Sequence, residues 1–151
     1  MSLFKAKTDD YVERISDSFA KQGMMQTLGA RLNTVEPGFV EIEISYDQNL
    51  TQQHGFIHAG ALTAIVDSAG GLAALSLFEA GDGVLTVEFK INLMAPADGE
   101  KIIARGQVVR PGRTITVTTG EVISVKNGIE TTCAIMQQTM MRIIGREGVM
   151  G

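Results

Sequence analysis

The chain has 151 residues, with 13 Lys and Arg against 17 Asp and Glu and a formal charge of −4, a length that suits one domain spanning 1–151. Hydrophobic residues make up 44% and charged residues 20%, too apolar for a disordered chain. Mild acidity without a Lys/Arg run argues against a non-specific nucleic-acid binder or a polybasic membrane-surface protein.

Residues Thr8 to Lys21 carry apolar positions at Tyr11, Val12, Ile15 and Phe19, the spacing of a short amphipathic helix with Thr8 or Asp9 as N-cap and Gly23 beyond its end. Val35, the turn Glu36-Pro37-Gly38, and then Phe39, Val40, Ile42 and Ile44 alternating with Glu41, Glu43 and Ser45 read as two strands joined by a tight turn. Asp47 to Phe56 is polar, holds Gln52, Gln53 and His54, and feeds a long apolar segment from Gly55 to Phe78 whose only formal charge is Asp67. Asp67 and the density of Gly and Ala argue against a membrane span. The segment reads as a buried helix of a water-soluble protein, apolar nearly all round and needing cover on most sides.

The strands C-terminal to the helix are expected to supply that cover. Leu85, Val87, Phe89, Ile91 and Leu93 alternate with Thr86, Glu88, Lys90 and Asn92, the signature of a strand buried on one face. Ile102 to Arg110 and Thr114 to Lys126 form two more strands about Pro111-Gly112, and Asn127-Gly128 predicts a type I′ hairpin into a last strand from about Ile129 to Arg142. Short turns between consecutive strands favour antiparallel pairing. The chain is therefore α+β: a curved antiparallel sheet around one long central helix, with a short N-terminal helix and no repeat or linker. Its open edges call for a second copy.

The residue that most needs explaining is Asp67, because a carboxylate buried without a partner costs several kcal/mol or takes up a proton. It either caps a neighbouring loop or serves as general base or nucleophile. His54 and His58 flank Gly55 and Gly60 where the helix begins, and free amides there favour an anion or a developing oxyanion. His58 equally serves as a packed residue that fixes the loop. The i, i+4 histidines lack the glutamate of the zinc-protease motif and an evident third ligand. Cys133 allows no internal disulfide and, set in an apolar strand, reads as an inert thiol. With no signal-peptide pattern at the N-terminus, it points to a reducing, cytoplasmic setting. Met24-Met25 and Met140-Met141 suit core or ligand-pocket filling. Arg110 and Arg113 bracket a turn and are solvated or meet phosphate groups. No G-x-S-x-G elbow, Walker loop, dinucleotide fingerprint or Cys-x-x-Cys pair occurs, so the chemistry falls to Asp, His, Gln and backbone amides.

The run His54-Gly55-Phe56-Ile57-His58-Ala59-Gly60-Ala61-Leu62, with Asp67 and Gly71 beyond it, resembles the hotdog-fold acyl-CoA thioesterases of the phenylacetate-pathway type, within the 4-hydroxybenzoyl-CoA thioesterase superfamily. The segments from Leu85 to Pro96 and from Val109 to Arg113 extend the likeness over most of the chain from Gln52 onward. The resemblance implies Asp67 as base or nucleophile and the amides of Ala59 and Gly60 as the oxyanion site. It puts Gln52 at a position where the family often has Asn, Thr86 as the hydroxyl that orients water or the carboxylate, and His58 as the histidine that shapes the loop. Gln53, His54, Lys90, Arg110 and Arg113 become substrate-binding residues, the last three toward coenzyme A. His58-Ala59-Gly60 replaces the commoner His-Gly-Gly, which keeps a backbone donor with less dihedral freedom. The implied partners are an acyl-CoA substrate and further copies of the chain, as a homodimer or a dimer-of-dimers tetramer, with no nucleic acid, membrane, metal or redox cofactor. A hotdog hydratase or dehydratase is the nearest enzymatic alternative, although the Pro-rich loop around its catalytic histidine is missing. An acyl-CoA-binding module without turnover is the other, and it has no task for a lone carboxylate.

Overall fold

The computed structural model describes residues 2–151. Helix α1 covers Tyr11–Ala20 and a one-turn helix α2 covers Gly23–Thr27. Strands β1 (Arg31–Glu36) and β2 (Phe39–Ser45) lead through a 3-10 turn at Gln48–Leu50 into helix α3 (Ala59–Leu75). Strands β3 (Gly83–Leu93), β4 (Lys101–Arg110), β5 (Ile115–Lys126) and β6 (Ile129–Ile143) complete one antiparallel sheet in the order β1-β2-β4-β5-β6-β3. Asn127 and Gly128 take φ values of 53° and 77°, the pair of left-handed residues that a type I′ turn requires.

The expected α+β layout is thus present, with three local differences. Gly23 opens α2 instead of ending α1, and α1 starts after Asp10, whose side chain makes no cap bond. The central helix is shorter than its apolar run: residues 55–58 form its approach, and buried Ser76, Leu77 and Phe78 lie beyond it. The third difference concerns β3, predicted as a strand with one buried face. It is instead one of the sheet's two edges, and a bulge at Val87 shifts its register between Thr86 and Glu88. Before the bulge Thr86 pairs with the buried Met140, while after it Phe89 and Ile91 pair with the buried Gln138 and Met136. Leu85, opposite the exposed Met141, therefore faces away from α3. With no neighbour beyond the edge, Val87 remains 58% exposed and Phe89 43%.

The core lies between α3 and the inner face of the sheet, where Ile65, Val66, Ala69 and Leu72 meet Ile42, Ile102, Ala104 and Val122. Two cross-strand glycines set how closely helix and sheet approach. Gly106 and Gly120 pair directly. A Cβ on Gly106 would lie 2.3 Å from the Ala69 carbonyl carbon and the Gly70 nitrogen, and one on Gly120 would lie 2.3 Å from Val66 Cγ2. Both crowd the turn of α3 that carries Asp67. On the far face, burial pushes the Glu43 carboxyl up, but hydrogen bonds from Arg31, Lys101 and Asn33 outweigh it and hold the group below its ordinary value. Gly106→Ala should cost about 3 kcal/mol of stability by overpacking against backbone, read as a lower urea midpoint. Gly23→Ala, where nothing lies within 4 Å, should leave the midpoint unchanged or raise it.

Candidate active site

The approach to α3 is a tight turn whose closure is local. Thr51 and Ile57 form a bridge, Gln52 N–H donates to Phe56 O at 2.9 Å, Gly55 N–H donates to Gln52 O at 3.0 Å, and Gly55 takes a φ of 82°. Gln52 accepts the His54 N–H on its own Oε1, so its Nε2 is the end left as a donor. Gln53 and His54 stand exposed at the tip.

His58 then caps the helix from an extended conformation (φ −62°, ψ 139°), its Nδ1 accepting the Gly60 N–H at 2.8 Å. That bond fixes the imidazole proton on Nε2. Glycine suits position 60 because a Cβ there would lie 3.0 Å from the ring nitrogen. Of the two amides expected to receive an oxyanion, the Gly60 N–H is thus already engaged. Ala61 and Leu62 donate to His58 O. The Ala59 N–H, at the first position of the helix, meets no acceptor among the described residues.

Asp67 lies half-buried midway along α3. Its Oδ1 accepts two hydrogen bonds, from Thr86 Oγ1 at 2.8 Å and from Gln138 Nε2 at 2.9 Å. Gln138 is a residue that the sequence pattern alone did not bring forward. It is 1% exposed, and its amide also reaches Asp67 O at 3.2 Å and accepts from Thr118 Oγ1 at 3.0 Å. A signal was present in the sequence: within the alternation of the last strand, Gln138 occupies an inward position between Met136 and Met140, where an amide needs partners. Thr86 also lies 3.4 Å from Met140 Sδ.

The remaining candidates are scattered. Lys90 pairs with the exposed Gln137 and faces away from α3, into a trough of about 620 Å³ that it shares with Phe39, Arg105 and Gln107. Arg105 in that trough is ion-paired to Glu41 and Glu130. Arg110 and Arg113 are exposed at the β4–β5 turn. The row through Lys90 crosses β5 at Thr119, whereas Arg110 pairs with Val117 and Arg113 lies in the turn before Ile115, so along the strand about 7 Å separates that row from Arg110 and about 13 Å from the turn end that holds Arg113. Cys133 is buried, donates to Val122 O at 3.4 Å, and has its thiol pushed up by burial, the setting of an inert thiol. No helix among the described residues is long and apolar enough to cross a membrane.

These features can be set beside known proteins. The family model described as the thioesterase superfamily matches residues 54–131, the stretch that holds the His58 cap, Asp67 and Thr86. A solved thioesterase family protein from Silicibacter pomeroyi is 50% identical, with a TM-score of 0.88, over 89% of this chain and 99% of that one. Human acyl-coenzyme A thioesterase 13 is 29% identical over 98 residues, 64% of this chain and 69% of its own. The Escherichia coli PaaI protein from the phenylacetic acid degradation operon, 20% identical, shares the fold at a TM-score of 0.80, over 93% of this chain and 96% of that one. With its six-stranded antiparallel sheet around a central helix, the chain belongs to the thioesterase superfamily, as a hotdog-fold thioester hydrolase.

Proposed function

We propose that this chain hydrolyses acyl-CoA thioesters as one domain working in pairs, at a site to which each partner contributes a different part of α3. The observation that carries the reading is a half-buried carboxylate, Asp67, held by neutral donors on a helix whose first amide has no acceptor among the described residues. Eight residues separate Ala59 from Asp67, which at 1.5 Å per residue is about 12 Å along the axis. One thioester carbonyl cannot touch both ends of that span. Antiparallel pairing of the open β3 edges of two copies would bring the Asp67 of one toward the helix start of the other, and the exposure of Val87 and Phe89 along that edge favours such pairing.

In this reading Asp67 is base or nucleophile. As base it takes a proton from water while the hydroxide oxygen bonds to the carbonyl carbon. As nucleophile its oxygen bonds first, and water then cleaves the anhydride. Either way the C–S bond breaks and the coenzyme A thiolate leaves and is protonated. The Ala59 N–H receives the carbonyl oxygen, with Gln52 Nε2 as a second donor. Thr86 orients the carboxylate, and His58 keeps the helix start in place through Gly60. Gln53, His54, Lys90, Arg110 and Arg113 remain candidates for the coenzyme A moiety.

Asp67→Asn should lower kcat for thiol release from phenylacetyl-CoA or hexanoyl-CoA by about 10²- to 10⁴-fold without changing the thermal midpoint. An unchanged kcat removes Asp67 from the mechanism.

Ala59→Pro deletes a single N–H at a helix position where proline is well tolerated, after a residue already in the extended region that proline demands. The expected loss is about 10²- to 10³-fold in kcat with the fold retained.

Mixing the two variants under conditions that exchange subunits tests the shared site. Each mixed dimer then holds one site with both Asp67 and the Ala59 N–H, so about a quarter of wild-type activity should return at statistical exchange. Sites built within single chains would recover nothing.

A further inference from the structure

We propose that Gln138, oriented by Thr118 and admitted by Gly70, is a positioning residue that fixes the Asp67 carboxylate for hydrolysis. The proposal rests on the reading of Asp67 as the reacting group and adds to it the device that holds that group still.

Gln138 commits its whole amide to this arrangement. One Nε2 hydrogen goes to Asp67 Oδ1 at 2.9 Å and the other to the main-chain oxygen of the same residue at 3.2 Å, while Oε1 takes the Thr118 hydroxyl at 3.0 Å. Gripping the backbone and side chain of one residue with one NH₂ group closes a ring that restricts the Asp67 torsions. Turning the amide over would aim its oxygen at a carboxylate, so charge and the Thr118 hydroxyl select the same orientation. Thr86 is a different kind of donor. It lies on the edge strand and shares its hydroxyl between Asp67 and Met140 Sδ, whereas Gln138 and Thr118 are buried. Both donors act on Oδ1, and Oδ2 has none among the described residues.

The helix is built to admit this amide. Gly70 is one turn beyond Asp67, and a Cβ there would lie 1.9 Å from Gln138 Oε1, 2.8 Å from its Cδ and 3.0 Å from Thr118 Oγ1. A glycine inside a helix costs about 1 kcal/mol relative to alanine, and a buried amide is costly unless its bonds are made. A leucine or methionine at 138 with an alanine at 70 would avoid both costs and fill the same space. What only the Gly70, Gln138 and Thr118 combination supplies is a fixed carboxylate. Because the donor is neutral, the negative charge of Asp67 is left uncompensated, which a lysine or arginine in its place would not do.

The test is kinetic, on the full chain with phenylacetyl-CoA and hexanoyl-CoA as probes. Gln138→Met keeps the volume and removes the donor. It should lower kcat by about 10- to 100-fold, the loss of one hydrogen bond to a charged group, with KM changed by less than about twofold. In an Asp67→Asn background the same substitution should cost nothing further, because Gln138 acts only through the carboxylate. A wild-type kcat in Gln138→Met overturns the proposal, and so does an equal loss in the Asp67→Asn background. Asp67→Asn with wild-type turnover, or no thiol release by the wild-type chain, would instead overturn the reading on which the proposal rests. Should Gln138→Met fail to fold, Gly70→Ala decides. Its methyl displaces the amide while deleting no polar group and improving helix propensity, so it must show the same kcat loss at constant KM, and an unchanged kcat overturns the proposal.

Discussion

Setting a carboxylate beside Val66 and Ala69, both fully buried, costs several kcal/mol unless protein donors replace the water it loses. Asp67 offsets that cost through the Thr86 hydroxyl and the Gln138 amide. Neither donor belongs to the helix. Both come from the sheet, from β3 and β6, so the arrangement of this one side chain depends on where helix and sheet stand relative to each other. A helix packed at an ordinary distance would leave a glutamine on β6 short of the carboxylate or force it aside.

The glycines answer that requirement. Gly106 and Gly120 sit opposite each other on neighbouring strands beneath Val66, Ala69 and Gly70, and a Cβ on either would collide with the helix. Gly70 opens the same gap from the helix side. Intrinsic propensity speaks against Gly70-Gly71 in the interior of α3, yet a helix with eleven buried residues draws its stability from packing and tolerates the loss. The close approach is therefore both a packing feature and the condition for solvating Asp67. It also explains why the helix can be apolar on nearly every side and still carry one ionisable group.

Much of this was legible in the sequence, and the parts that were not share a cause. The apolar run located the central helix, alternation located β2 and β3, and turn residues with β-branched composition located the other strands, because these signals are local. The importance of Asp67 was legible because one charge in an apolar run is itself an anomaly. Gln138 was not, since its partners Asp67 and Thr118 lie 71 and 20 residues away, and its inward place between Met136 and Met140 marks it as needing partners without naming them. The capping role of His58 was hidden for a related reason: histidine is not among the usual N-caps, and only its backbone conformation and the room at Gly60 reveal that Nδ1 takes an amide. The resemblance grouped Lys90, Arg110 and Arg113 toward coenzyme A, but Lys90 stands on β3, with β6 between it and the β4–β5 turn that carries the two arginines.

The alternation of β3 misled in an instructive way. Unbroken, it would put either Thr86 or the set Phe89, Ile91 and Leu93 on the helix side, never both. The bulge at Val87 resolves the conflict: Thr86 turns inward before it to donate to Asp67, and Phe89 and Ile91 turn inward after it opposite Gln138 and Met136. Such an extra residue disrupts the ladder and is best accommodated at an edge, where only one neighbour must adapt. The strand that completes the solvation of the carboxylate is thereby the strand left open to a second copy. In a site shared between two copies, the bulge that aims Thr86 at Asp67 and the edge that would receive the partner are one feature of one strand, and a change that straightened β3 to improve its pairing would withdraw the hydroxyl from the carboxylate.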